Sequence, residues 1–365
     1  MIQPSPTHTP SNRPVHGGNL AWAAAIAGCS PNSLLDFSAS INPLGPPESV
    51  VQAMTAALGQ LRHYPDPSYA ELRRALAEHH GVPMDWVLPG NGAAELLTWA
   101  ARDVAASDGC HLLTPAFGDY GRSLAAFDVP IRPWPLPLED WAGPGSAPTW
   151  PEPEAASLLI NNPHNPTGRL FPRASLEPLL ERFATVIVDE AFMDFLPADR
   201  QQSLIADLDH HPNLVVLRSL TKFYTLPGLR IGYALGHPDR LGRWQRWRDP
   251  WPVNALAAAA AIAAVSDHSF QRRTWQWLPP AREAFCKGLQ AIPGLSPLPG
   301  AANYLLVKTA TPAPLLQERL LRRHQILIRD CVSFGELGAN YMRVSVRTEA
   351  ENDRLLTALG QELGV

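Results

Sequence analysis

Cysteine is scarce and scattered: Cys29, Cys110, Cys286 and Cys331 stand singly, with no C-x-x-C pair. That pattern argues against a disulfide framework or a zinc site and predicts reduced, mostly buried thiols in a cytoplasmic protein. Long apolar runs are also missing. The longest, N-A-L-A-A-A-A-A-I-A-A-V (254–265), falls short of the ~20 residues a membrane span needs, and predicts a buried or interface helix. Neither sign of charge dominates: Lys+Arg of 30 against Asp+Glu of 34 leaves a net −4. The chain therefore shows no electrostatic footprint for nucleic acid or an anionic membrane. The first fifteen residues lack the apolar core of a signal peptide and are rich in proline, which predicts a loose arm. What remains is chemistry on a small molecule, or contact with another protein.

At 365 residues the chain is long enough for two or three domains. Proline, at 38 residues, is about twice its ~5% usual share. Much of it lies in 130–153, which predicts a strand followed by a long, partly extended surface connection. Before and after that stretch, short apolar runs alternate with amphipathic segments. W-V-L-P (86–89), C-H-L-L-T (110–114), S-L-L-I-N (157–161), T-V-I-V-D-E (185–190), L-V-V-L-R-S (214–219) and I-G-Y-A-L-G (231–236) read as strands covered on both faces. Segments 93–104 and 173–183 carry helical spacing between them. This predicts an α/β fold with a large, mostly parallel sheet domain over residues 50–265. Beyond it, N-Y-L-L-V-K (303–308) and Y-M-R-V-S-V-R (341–347) alternate like half-buried strands between amphipathic helices. They predict a smaller α+β domain over 266–365, joined by the N-terminal segment 16–49, with 1–15 as the arm. Sites in such folds sit at the carboxyl ends of the strands and at the domain junction.

Four elements fall in a consistent order. N-N-P-H-N-P-T-G (161–168) follows a strand and ends in a turn; V-D-E-A-F (188–192) puts Asp189 at a strand's carboxyl end; S-L-T-K (219–222) follows the next strand; Arg230 comes eight residues later. Together they resemble the fold-type I pyridoxal-phosphate enzymes, the aspartate aminotransferase superfamily, from about His16 to Leu359. Such a cofactor needs an amine to bond its aldehyde, and a lysine among apolar neighbours has the lowered pKa this requires. The resemblance makes Lys222 that residue. It implies that Asp189 pairs with the pyridine nitrogen, that Asn165 bonds the ring oxygen, and that Phe117 and Ala191 cover the two ring faces. G-N-G-A-A-E (90–95) joins a strand to a helix, so the N–H groups of Gly92, Ala93 and Ala94 can point at a phosphate. By resemblance Ser219 and Arg230 complete that cup, and Tyr64 reaches across a homodimer interface to the neighbour's phosphate.

Within the superfamily the chain resembles the histidinol-phosphate aminotransferase branch, and inside it most nearly the threonine-phosphate decarboxylases of cobalamin biosynthesis. The carrying segments include H-G-G-N (16–19), H-Y-P-D-P (63–67), D-E-A-F-M-D-F (189–195), L-I-R-D-C (327–331) and Y-M-R-V-S-V-R (341–347). Aminotransferases of the superfamily usually carry tyrosine where this chain has Phe192. The resemblance implies a phosphorylated amino acid as substrate, with its α-carboxylate on Arg343, its phosphate on Arg329, and His16, Gly17 and Asn19 closing the site. No metal is expected. Two other readings stay open at this point: a histidinol-phosphate aminotransferase, and a cofactor-binding regulatory module without turnover.

Overall fold

The computed structural model describes residues 13–138, 149–150 and 156–365. Most of the proline-rich connection after residue 138, and the arm before residue 13, therefore lie outside the described residues. Helix α1 (Leu20–Ala27) and strand β1 (Leu35–Asp36) precede two helices, α2 (Glu48–Ala57) and α3 (Ala70–His80). The large sheet then takes β2 (Val87–Gly90), β3 (Cys110–Thr114), β4 (Ile131–Pro135), β5 (Ser157–Asn161), β6 (Val186–Asp189), β7 (Leu214–Ser219) and β8 (Gly232–Gly236). Their order across the sheet is β2-β8-β7-β6-β5-β3-β4.

Five strands, β4 to β7 with β3, run parallel, and β5, β6 and β7 are buried along their whole length. Continuous Val, Leu and Ile runs such as V-I-V and L-V-V-L suit this, because helices cover both faces and no polar face is needed. Strand β8 departs from the parallel pattern and pairs antiparallel with both β2 and β7. The cause is local. After β7 the chain makes one short helix and a Pro-Gly turn at the sheet's edge, then runs straight back, with no long crossover to reverse it.

Helices α4 (Gly92–Val104) and α5 (Gly118–Ala125) follow β2 and β3, and α6 (Arg173–Leu180) follows β5. The four-residue α7 (Leu220–Phe223) follows β7, and α8 (Pro238–Trp247) follows β8. The alanine-rich run forms α9 (Ala255–Ser266), packed mainly on α2 and α3. The 23-residue α10 (His268–Gln290) leads to the second sheet.

That sheet is antiparallel, ordered β12-β13-β10-β9, from β9 (Leu295–Pro297), β10 (Tyr304–Thr309), β12 (Arg329–Asp330) and β13 (Tyr341–Ser345). Between β10 and β12 come α11 (Ala313–His324) and β11 (Ile326–Leu327), and α12 (Glu349–Leu363) ends the fold behind a Thr348–Glu351 capping box. The N-terminal segment meets this part: β1 pairs with β11, and Ser345 N–H donates to Phe37 O at 3.0 Å. Residues 13–15 also lie against it. Arg13 pairs with Asp330 at 3.0 Å, and Arg329 holds the carbonyls of Pro14 and Val15. Among the described residues no helix is long and apolar enough to cross a membrane.

Candidate active site

A cavity of about 320 Å³ opens where the carboxyl ends of β6 and β7 face the small sheet and the N-terminal segment. Its walls include Phe117, Tyr120, Asn165, Asp189, Lys222 and Arg343. These come from five separate places in the chain, so the fold assembles the site.

Lys222 sits on α7, immediately past the end of β7, and its Nζ donates to Thr221 Oγ1 at 2.7 Å. Burial pulls the amine pKa down to about 8, although Asp189 opposes the shift; Arg230 and Arg343 add to it. An appreciable share is thus neutral, and nucleophilic, near neutral pH. Asp189, at the last position of β6, is buried. Its Oδ2 accepts the Tyr120 hydroxyl at 2.7 Å and its Oδ1 accepts Ala191 N–H at 2.9 Å. Burial pushes this carboxyl up, while those two donors and Lys222 resist.

Ala191 and Phe117 both line the cavity; Phe117 ends the loop before α5 and meets His16 and Tyr120 tilted or edge-on, each at 5.5 Å between ring centroids. Asn165 is fixed from both sides. Its N–H donates to Asn161 Oδ1 at 2.6 Å, and its own Oδ1 accepts from Arg343 at 2.5 Å. Phe192 is buried in the wall, packed edge-on against Tyr304 at 5.0 Å.

The helix α4 N-terminus and Arg230 form a separate corner. Gly92 has φ +75°, and a Cβ there would stand 2.6 Å from Arg230 Nη2. A Cβ on Gly232 would stand 2.8 Å from Ala93 N. Both glycines are therefore required for the guanidinium and the helix end to converge. Ser219 lies beside them, capping α7 with its Oγ. Free N–H groups, a hydroxyl and a guanidinium around one corner make an anion cradle. An amine of lowered pKa, a buried carboxylate, an aromatic wall and this cradle fit an aldehyde-bearing pyridine phosphate.

The structure also separates residues that the sequence grouped. Gly17 and His16 border the cavity, but Asn19 does not: it is exposed and its Oδ1 accepts Trp22 N–H at 3.0 Å, capping α1. The need to satisfy the helix end takes that side chain away from the site. Tyr64 lies outside the cavity, 81% exposed and packed in a tilted arrangement on Trp251 at 4.6 Å between ring centroids. Four participants escaped the sequence reading: Tyr120, Asn161, Tyr304 and Ser333. For Tyr120 a signal existed, since Phe117 and Tyr120 stand three apart at a helix start.

Arg329 and Arg343 are buried on facing strands of the small sheet. Arg343 donates to Asn165 and to Ser38 O at 3.2 Å and lies 4.9 Å over the Tyr304 ring. Arg329 donates to Ser333 Oγ at 2.5 Å as well as to the carbonyls of Pro14 and Val15. Among the described residues no carboxylate lies within ion-pair distance of either.

The sheet order, the lysine after β7 and the aspartate ending β6 define the fold of the aminotransferase-like enzymes. The sequence comparisons agree, and the chain belongs to the family described as "Aminotransferase class I and II", whose model matches residues 32–359. It is 42% identical to the threonine-phosphate decarboxylase of Salmonella typhimurium, over 94% of this chain and 95% of that protein. It is 33% identical to histidinol-phosphate aminotransferase 2 of Ralstonia nicotianae, over 96% and 94% respectively. Its fold matches the Sinorhizobium meliloti histidinol-phosphate aminotransferase, solved in complex with pyridoxal 5'-phosphate, with a TM-score of 0.82, 22% identity, and 98% and 99% coverage.

Proposed function

We propose that the cavity binds pyridoxal 5'-phosphate through Lys222 and that the chain is a carboxy-lyase. Its reaction is loss of CO2 from L-threonine O-3-phosphate to give (R)-1-amino-2-propanol O-2-phosphate, the linker amine of cobalamin biosynthesis. The carrying observation is the pair of buried arginines without carboxylate partners, Arg329 and Arg343, next to Lys222. A substrate with two anionic ends suits two forked cations, and the 42% identity to a threonine-phosphate decarboxylase points the same way.

When bound, the cofactor supplies an electron sink for a bond breaking at the substrate's α-carbon. Asp189 holds the pyridine nitrogen, Phe117 and Ala191 confine the ring, and the cradle of Gly92, Ala93, Ala94, Ser219 and Arg230 takes the phosphate. Asn165 serves the ring oxygen and, through its bond to Arg343, ties that contact to the substrate's carboxylate site. Arg343 takes the α-carboxylate and Arg329 the substrate phosphate, with His16 and Gly17 at the mouth. By fixing these two anions, Arg343 and Arg329 would decide how the bonds at the substrate's Cα are oriented, and so choose between loss of CO2 and loss of a proton. Lys222 Nζ would be the group placed to return a proton to Cα, as an ammonium that has taken that proton from the substrate's own amino group. Phe192 leaves the ring oxygen without the hydroxyl contact a tyrosine would make. The exposed Tyr64 reaches a second copy's phosphate cradle, making the working unit a cytoplasmic homodimer.

The test is incubation with O-phospho-L-threonine and pyridoxal phosphate, with and without 2-oxoglutarate. CO2 release independent of 2-oxoglutarate supports the lyase. Glutamate formed from histidinol phosphate and 2-oxoglutarate, with no CO2, would make the chain an aminotransferase.

A further inference from the structure

The Asp189 carboxylate is reached by only two donors among the described residues, the Tyr120 hydroxyl on Oδ2 and Ala191 N–H on Oδ1. The second is backbone, fixed by the chain's own turn. The first is a side chain that holds neither cofactor nor substrate in the proposed function. Tyr120 is buried on the first turn of α5, three residues after Phe117, and the two rings meet edge-on at 5.5 Å. One helical turn therefore presents both the ring-facing aromatic and the donor to the carboxylate. Burial and the neighbouring Asp189 hold the phenol pKa well above its ordinary 10, so the hydroxyl keeps its proton and always donates.

We propose that Tyr120 is a positioning residue that acts through Asp189, fixing the carboxylate's rotation and keeping it a weak enough base that the shared proton stays on the cofactor's pyridine nitrogen. This rests on the reading that Asp189 faces that nitrogen. The sign follows from hydrogen-bond chemistry. A donor to a carboxylate stabilises its ionised form, and removing the donor makes it a stronger base. In a buried site the effect is larger, because no water replaces the lost partner. Without the phenol the proton moves from nitrogen to Asp189, and the ring withdraws electrons less well. Substrate binding, governed by Arg329 and Arg343, is untouched.

The experiment uses holoenzyme carrying pyridine-15N-labelled cofactor, with wild type, Asp189→Asn, Tyr120→Phe, and 3-fluorotyrosine incorporated at position 120. The 15N shift reports protonation at the nitrogen, independently of turnover. The wild type is expected to show a protonated nitrogen and Asp189→Asn a deprotonated one. Tyr120→Phe should move the shift toward the deprotonated value and lower kcat by about tenfold or more with KM little changed. The more acidic fluorophenol donates more strongly and should hold the shift at or beyond the wild-type value in the same intact fold. Wild-type shifts in both Tyr120 variants would overturn the role of Tyr120 alone. A deprotonated nitrogen in wild type, or no response to Asp189→Asn, would overturn the underlying reading of Asp189, and this inference with it.

Discussion

Arg329 on β12 and Arg343 on β13 are direct cross-strand partners, so two guanidinium groups sit opposite one another on the same side of a buried sheet. Like charges in that register destabilise a sheet, and burial depresses the pKa of both groups while their mutual repulsion adds to the effect at Arg329. Arginine nevertheless stays charged. The fold thus tolerates an internal repulsion that an anionic ligand with two ends relieves.

Removing either charge should therefore leave the ligand-free protein at least as stable while harming catalysis. Arg329→Met is expected to raise KM for O-phospho-L-threonine by about two orders of magnitude, the scale of a lost charge-assisted contact. Arg343→Met is expected to lower kcat more than it raises KM, since in the proposed function it would govern which Cα bond is aligned. Steady-state kinetics alongside thermal melts separate the two effects.

The lowered pKa of Lys222 gives a titration with a definite sign. The free amine fraction of the apoprotein rises as pH passes through about 8, well below the ordinary lysine value of ~10.4. Cofactor capture should accelerate across that range and then level off. Apoprotein stability should also rise between these two pKa values, where the unfolded chain binds a proton that the folded chain does not. Only Lys222, Lys287 and Lys308 are available as lysines. Borohydride reduction of captured cofactor followed by peptide mass mapping should label Lys222 alone; label on either of the others would contradict the assignment.

Gly92→Ala tests the cradle. The new methyl would stand 2.6 Å from Arg230 Nη2 at a backbone with φ +75°, so both the guanidinium and the turn must shift. The expected result is a faster loss of pyridoxal phosphate on dialysis, with melting of the apoprotein lowered by about 1 kcal/mol for the strained backbone. Retention equal to wild type would count against a phosphate site at this corner.

Beneath the site, Arg218 is buried between Glu190 at 2.8 Å and Asp194 at 2.5 Å. It neighbours Ser219, and Glu190 neighbours Asp189, so this ion triad ties together the ends of β6 and β7 from the opposite face of the sheet. Arg218→Met leaves two buried carboxylates without their cation, and unfolding measurements should show a loss of about 3–5 kcal/mol.

The sequence made the parallel core legible because runs such as V-I-V and L-V-V-L have no polar face to hide. It made Lys222, Asp189 and Arg230 legible because their order and spacing are carried by single short segments. Strand β8 was harder: its apolar pattern says nothing of direction, which the turn before it decides. Asn19 was ambiguous, because an amide beside a site and an amide capping a helix look alike until the helix start is known. Tyr120 acts through a contact made only when distant segments meet, 69 residues separating it from Asp189, whereas Asn161 and Ser333 reach partners four residues away whose own place in the site depends on the fold. The cross-strand pairing of Arg329 with Arg343 likewise needs the register of β12 on β13, which no local pattern encodes.

In the proposed reaction the Cα–carboxylate bond breaks while the Cα–H bond survives. The most direct measurement is turnover of O-phospho-L-threonine deuterated at Cα, in ordinary water and without a 2-oxo acid, followed by mass and NMR analysis of the product. The expected product is aminopropanol phosphate that keeps its deuterium at C1, with one CO2 released per turnover. Deuterium lost to solvent without CO2, or a 2-oxo acid as product, would show that the proton is the group removed and would contradict it.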